Sequence, residues 1–200
     1  MKLELLDAFD RGLAEFDDRV HRVRNDQWDG GTPCTSWSVR DLVNHLTGEH
    51  LWAPWLLRGA TLEEVGDRFD GDVLGDHPVR AWERAAADSR DAFHEPGALD
   101  GTVHTSGGPT PAAEYARQMV MDLTVHAWDL ARGVGADDGI DGDLVALVYD
   151  YTRELPGALQ GAFFAAPVRV PASASRQDQL LGLLGRDPGG GAAAGRGTAA

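Results

Sequence analysis

Cysteine is nearly absent from this chain: its 200 residues include a single one, Cys34. An intramolecular disulfide is therefore impossible, and a zinc site built from several thiolates is excluded. The chain also has no run of about eighteen apolar residues, which argues against a transmembrane helix. Its first residues lack the apolar stretch of a secretory signal peptide, so we expect a cytoplasmic protein.

Positive charge is scarce as well. The chain has 18 basic residues, of which only Lys2 is a lysine, against 32 acidic ones, and its formal net charge is −14. Nucleic acids and anionic membrane surfaces attract proteins through clustered Lys and Arg, so neither is predicted as a partner. The partners left open are a small-molecule substrate, a low-molecular-weight thiol, and a second copy of the chain in a homodimer.

Polar–apolar alternation long enough to build a sheet is also missing, and apolar residues recur at helical spacing instead. We therefore predict an all-α fold, a four-helix bundle with an additional C-terminal helix and an irregular tail. The sequence predicts one domain over residues 1–186 and a disordered Gly/Ala-rich tail over 187–200. The predicted helices cover residues 3–23, 39–58, 79–93, 111–132, 142–154 and 176–184.

Several local signals set the ends of these segments. Ser38 and Asp41 have the spacing of a capping box at the start of the second helix. Thr110-Pro111 predicts an N-cap and first position for the fourth helix, and Gly133 predicts its end. Residues 97–109 are predicted to form a loop with a short extended piece at 102–105, and residues 161–171 to be extended.

The most informative pattern lies in the fourth helix, where Asp122 and His126 are four residues apart. This spacing puts both side chains on one helix face, about one turn apart. His45, on the apolar side of the second helix, supplies a third ligand if the two helices face each other. A carboxylate and two imidazoles can hold a divalent metal, and zinc is the first choice, with nickel or ferrous iron as alternatives.

The same residues also fit a buried acid–histidine hydrogen bond that carries no metal, and the spacing alone leaves both readings open. Glu49, one turn after His45, is the candidate to support the site. His104 is placed in a loop that closes over it. Asp129 is assigned to a surface ion pair with Arg132.

Cys34 is interpreted mainly as a half-buried structural thiol, with a redox role left open, because no neighbouring His or Lys is evident in the sequence.

Two segments carry a resemblance to a known family. They are Thr32-Pro-Cys-Thr-Ser-Trp-Ser-Val-Arg-Asp-Leu-Val-Asn-His45 and Asp122-Leu-Thr-Val-His126-Ala-Trp-Asp-Leu-Ala. Together they resemble the actinobacterial mycothiol-dependent maleylpyruvate isomerase-like metal-binding family, within the DinB/YfiT-like helical bundles. The likeness extends over about residues 1–188. It implies a four-helix core and a metal held at His45, Asp122 and His126.

Two departures from that family limit what carries over. The isomerase has a glutamate where this chain has Asp122, and it has a further C-terminal domain that is not seen here. We therefore expect the metal site to carry over better than maleylpyruvate isomerisation. The resemblance makes mycothiol a candidate cofactor.

Three functions remain open from the sequence: a metal- and thiol-dependent transferase or isomerase, a non-catalytic regulatory module that binds a metal or ligand, and a bundle with a vestigial hydrogen-bond network. No catalytic residue is assigned.

Overall fold

A computed structural model describes residues 3–34, 36–155 and 165–190, and it is mostly helical, as predicted. The helices and strands follow in chain order: α1 Leu5–His21, α2 Val39–Leu57, α3 Leu62–Val65, α4 Pro78–His94, β1 Thr102–Thr105, β2 Gly108–Pro111, α5 Ala112–Val134, α6 Gly142–Glu154 and α7 Arg176–Leu183. No helix in these ranges combines the length and apolar character needed to cross a membrane.

Four long helices form the bundle. α1 packs on α5, α5 on α2, α2 on α4, and α4 on α1, so that the four enclose one core. α6 covers the outer side of α5, and α7 packs on α6. Because α5 is contacted from both sides, it is buried around most of its circumference, including Leu123, Ala127 and Leu130. This position makes α5 the central helix of the fold.

The loop before α2 is folded back on the helix that it precedes. Ser38 caps α2 as predicted: its Oγ accepts from the Asp41 N–H at 3.1 Å, and Asp41 Oδ2 accepts from the Ser38 N–H at 2.9 Å. A bridge between Gly31 and Ser38 closes the loop into a short hairpin-like turn. The loop thereby presents Trp37 and Cys34 toward the middle of α5.

The predicted bounds of α5 were wrong by one to two residues at each end. Thr110 and Pro111 belong to β2, so α5 begins at Ala112, because these residues pair with β1 instead of entering the helix. At the other end α5 continues to Val134, and Gly135 terminates it in the left-handed conformation, with φ of 69°. Gly133 instead allows the loop before α2 to pack closely on α5, because a Cβ at this position would lie 3.3 Å from the Gly31 carbonyl oxygen.

β1 and β2 form a two-stranded antiparallel hairpin that the sequence did not predict beyond an extended piece at 102–105. Strands of four residues are too short to show alternation, and only Val103 is buried.

The C-terminal segment packs back on the bundle. Residues 165–171 are neither helix nor strand, and the rest of the stretch predicted to be extended, 161–164, lies outside the described residues. Residues 187–190 form a turn in which Asp187 accepts from the Gly189 N–H at 3.0 Å. The remainder of the predicted tail, 191–200, also lies outside the described residues.

Candidate metal centre

Two helices bring the three candidate ligands to one point in the bundle. His45 comes from α2, and Asp122 and His126 lie one turn apart on α5. The Asp122 carboxylate bridges the imidazoles: Oδ2 lies 3.0 Å from His45 Nε2, and Oδ1 lies 3.3 Å from His126 Nε2. The ring centres of the two histidines are 5.3 Å apart. The proximity predicted from the spacing is therefore present.

Neighbouring charges shift the pKa values of Asp122 and His126 toward their charged forms. Burial by itself raises the pKa of Asp122, but the two imidazoles outweigh it and hold that pKa below its ordinary value. Burial likewise lowers the pKa of His126, yet Asp122 and Asp129 on its two sides raise it well above the usual 6.5. Each ring nitrogen of His126 thus faces a carboxylate oxygen, an arrangement that stabilises the protonated imidazole.

The cluster is accessible from one side. The His45 and Asp122 side chains are 29% and 22% exposed, whereas that of His126 is 5% exposed. The Trp37 ring stands 4.8 Å from the His45 ring centre and 5.7 Å from that of His126. The site thus has an aromatic wall and is open to solvent beside His45.

A second set of polar groups lies behind His126. Asp129 is fully buried, and its Oδ2 accepts from His126 Nδ1 at 2.9 Å. Arg186, from the segment after α7, donates to the same oxygen at 2.7 Å. The Cys34 thiol lies 3.2 Å from both Asp129 Oδ2 and the Arg186 guanidinium, and 3.9 Å from His126 Nδ1.

This arrangement corrects two expectations. Asp129 is not on the surface with Arg132, which pairs with Asp138 at 3.2 Å, because the loop before α2 and the C-terminal segment cover that side of α5. Cys34 does have charged neighbours, supplied by residues 92 to 152 positions away. One feature of the sequence does indicate that Asp129 lies near His126: the two residues are three positions apart, which puts both on one helix face.

The sequence also predicted that Glu49 and His104 lie near the site. Burial and then Asp122 raise the pKa of Glu49, one turn beyond His45, which fits its predicted nearness to the site. His104 lies on β1 opposite Pro109. Within the described residues no hydrogen bond or ring contact joins His104 to the cluster, so the structure does not support a closing role.

Tyr115 occupies the same face of α5 as Asp122, two turns earlier, and its buried hydroxyl has no hydrogen-bond partner among the described residues. An unpartnered buried hydroxyl destabilises the fold. We therefore expect Tyr115→Phe to keep or raise the free energy of unfolding, by up to about 1 kcal/mol, in urea denaturation. The matched control is Tyr151→Phe, which should cost about 1 kcal/mol because the Tyr151 hydroxyl donates to Glu114 at 2.6 Å. Equal losses in both variants would contradict this account.

His50 gives the fold a predictable pH dependence. Burial lowers its pKa to about 3, and its Nδ1 is hydrogen-bonded to the Ser89 hydroxyl at 2.9 Å. Between pH 6.5 and 3 the unfolded chain binds a proton at His50 that the folded chain does not, so the free energy of unfolding falls as the pH decreases.

We expect the stability difference between the wild type and His50→Gln to shrink by about 1 kcal/mol per pH unit below pH 6, measured by urea denaturation. His21→Gln is the control with the opposite sign, because hydrogen bonds to Asp17 and Glu83 raise the pKa of His21. A pH-independent difference for His50→Gln would show that folding leaves the pKa of His50 at its ordinary value.

A cavity lies elsewhere on the molecule. A cavity of about 950 Å³ between the C-terminal halves of α2 and α4 has Trp55, Phe69, Arg58 and Arg68 among its lining residues, and none of the three candidate ligands. Arg68 stacks on Trp55 at 4.5 Å from the ring centre. Among the described residues the groups of convergent metal ligands lie around His126 and not in this cavity, so we place the candidate site beside His45.

The fold and this site define a DinB-like helical bundle with a His/Asp/His cluster between α2 and α5. The chain matches the family model described as mycothiol maleylpyruvate isomerase N-terminal domain over residues 9–131. This match spans well over half of the 200 residues, and the chain belongs to that family.

Curated relatives and solved structures are also similar to this chain. The uncharacterized proteins Rv0738 and MT0763 of Mycobacterium tuberculosis are each 29% identical over 191 residues, covering 92% of this chain and 98% of the relative.

Two crystal structures of the mycothiol-dependent maleylpyruvate isomerase, one of them a histidine-to-alanine mutant, superpose with TM-scores of 0.56 and 0.59 at 18% and 17% identity. Each similarity covers 74% of this chain and 68% of the isomerase, and it shows a shared fold.

Proposed function

We propose that this chain binds one divalent metal ion through His45, Asp122 and His126 and uses it in a thiol-dependent transfer or isomerisation. The observation that carries the proposal is the bridging carboxylate, which places Asp122 oxygens 3.0 and 3.3 Å from the two imidazole nitrogens. Ligands on one tetrahedral zinc ion are roughly 3.4 Å apart. One ligand atom from each of the three residues lies within 4.8 Å of the others, which supports a shared ion.

The donor atoms also suit a reactive site more than a structural one. Two imidazoles and one carboxylate leave at least one coordination position for a substrate or water, as in zinc enzymes. Zinc is our first candidate, and nickel and ferrous iron suit the same borderline ligands. The opening beside His45 leaves this position reachable from solvent.

The charge balance favours an anionic ligand. With neutral imidazoles and a protonated Glu49, Asp122 and Asp129 contribute two negative charges and Arg186 one positive, so a divalent ion leaves the cluster with a net charge of +1. The chemistry that such an ion supplies is the lowering of a bound thiol's pKa. Mycothiol is our first candidate because relatives with this fold are named for their dependence on it.

Two further residues, Trp37 and Glu49, contribute to the proposed site. Trp37 gives the opening an apolar wall against which an organic ligand can pack. Glu49 interacts electrostatically with all three proposed ligands, and burial raises its pKa, so we assign to it the exchange of a proton with the bound thiol or its partner.

Titration of cobalt-substituted protein with mycothiol tests this function. Cobalt reports its ligands in visible absorption, whereas zinc is d¹⁰ and silent. We expect a new cobalt–thiolate absorption that saturates at one equivalent, and no such absorption with S-methylated mycothiol. Metal uptake without any response to thiols would favour a regulatory module that binds metal alone. Failure to take up metal would overturn the proposal and favour a hydrogen-bond network.

A further inference from the structure

The polar groups behind His126 fall outside the ligand set, yet they determine how His126 can act. Both nitrogens of the His126 imidazole contact a carboxylate. Nε2 lies 3.3 Å from Asp122 Oδ1, and Nδ1 lies 2.9 Å from Asp129 Oδ2. Asp129 is fully buried and Arg186 is 8% exposed, so their contact at 2.7 Å is an internal ion pair.

Cys34, His126 and Asp129 also have ligand atoms close enough together to suggest a second metal site. The position of Arg186 argues against that reading. Its guanidinium donates to Asp129 Oδ2 at 2.7 Å and to Cys34 Sγ at 3.2 Å, so a cation already lies against two of the three atoms. The group is neutralised by a side chain of the protein.

From this geometry we propose that Asp129 and Arg186 are positioning residues for His126. Asp129 accepts the Nδ1–H and so leaves the Nε2 lone pair to the metal, while Arg186 holds the Asp129 carboxylate in place. The proposal rests on the metal site proposed above and adds that the C-terminal segment completes it. A metal held at Nε2 would leave the Nδ1–H and its hydrogen bond to Asp129 in place.

The backbone of the C-terminal segment fixes the position of Arg186. The Arg186 N–H donates to the Leu181 carbonyl at 2.9 Å, closing the turn after α7. Gly185 has a φ of 78°, and a Cβ there would lie 2.6 Å from the Ala165 carbonyl oxygen. Because this turn accepts only glycine at position 185 without rearrangement, the direction in which Arg186 leaves α7 is fixed.

Carboxylates that hydrogen-bond a ligating histidine typically change metal affinity by 10- to 100-fold. We therefore expect zinc affinity, measured by chelator competition, to fall about 10- to 100-fold in Asp129→Asn and less in Arg186→Lys, which retains the charge. Arg176→Lys, on an exposed arginine of α7, is the matched control and should leave affinity unchanged. Circular dichroism melts establish that each variant is folded.

Nitrogen-15 NMR of the zinc-loaded protein supplies a readout that a merely structural role would not move. We expect His126 to show a metal-bound Nε2 and a protonated Nδ1 in the wild type, with the Nδ1 proton exchanging faster in Asp129→Asn. Coordination through Nδ1, or unchanged affinity and exchange in folded Asp129→Asn, would overturn the positioning role. Two zinc ions per chain would also overturn it. A wild type that binds no zinc would instead refute the metal site itself.

Discussion

His45→Ala, Asp122→Ala and His126→Ala are each expected to lower the metal content of the purified protein from about one divalent ion per chain to near zero. Loss of one ligand from a three-ligand site removes much of the binding free energy, and elemental analysis after dialysis measures the result. Asp122→Glu is the control, because it retains a carboxylate and should retain metal.

The same site predicts a pH dependence of metal binding. Only neutral imidazole coordinates a metal, and Asp122 and Asp129 raise the pKa of His126 well above 6.5. Protons therefore compete for this ligand even near neutral pH, and zinc affinity should increase as the pH is raised and fall on acidification. If all three alanine variants keep their full metal content, the ion is bound elsewhere and the proposed function is wrong.

Arg186→Leu should produce the largest loss of stability, about 3–5 kcal/mol in urea or thermal unfolding. The substitution removes the guanidinium that pairs with the fully buried Asp129 carboxylate, which then keeps only its contacts with His126 and Cys34. Adding Asp129→Asn to the same protein removes the buried carboxylate charge and should restore most of the lost free energy. Exposed Arg176, replaced by leucine, should change stability by no more than about 0.5 kcal/mol.

Two outcomes would show that water reaches Asp129 and that the C-terminal segment is not firmly packed. One is a small loss of stability in Arg186→Leu, and the other is a loss in the double variant equal to the sum of the losses in the two single variants. Coupling between the two sites, measured by the double-mutant cycle, separates these outcomes from general damage to the fold.

Local sequence was sufficient for the helices of the bundle. The start of α2 followed from Ser38 and Asp41, because a capping box is made within four residues. The bounds of α6 followed from the apolar spacing between Gly142 and Glu154. The hairpin and the start of α5 could not be predicted, because the pairing of Thr102–Thr105 with Gly108–Pro111 competes with helix signals at Thr110 and Pro111.

For the candidate site, the sequence by itself determined which side chains share a helix face. Asp122 and His126 are one turn apart whatever surrounds them, and His45 lies on the apolar side of its own helix, so their meeting required only that α2 and α5 face each other. Their role as metal ligands stays a prediction.

Only the tertiary structure decided what lies behind His126. Asp129 could be read as a surface acid beside Arg132 as long as the covering of α5 was unknown. The loop that carries Cys34 and the segment that carries Arg186 come from distant parts of the chain, 95 residues before and 57 residues after Asp129. Spacing rules describe neighbours along one helix, whereas the burial that turns Asp129 into an internal ion pair depends on how those segments pack.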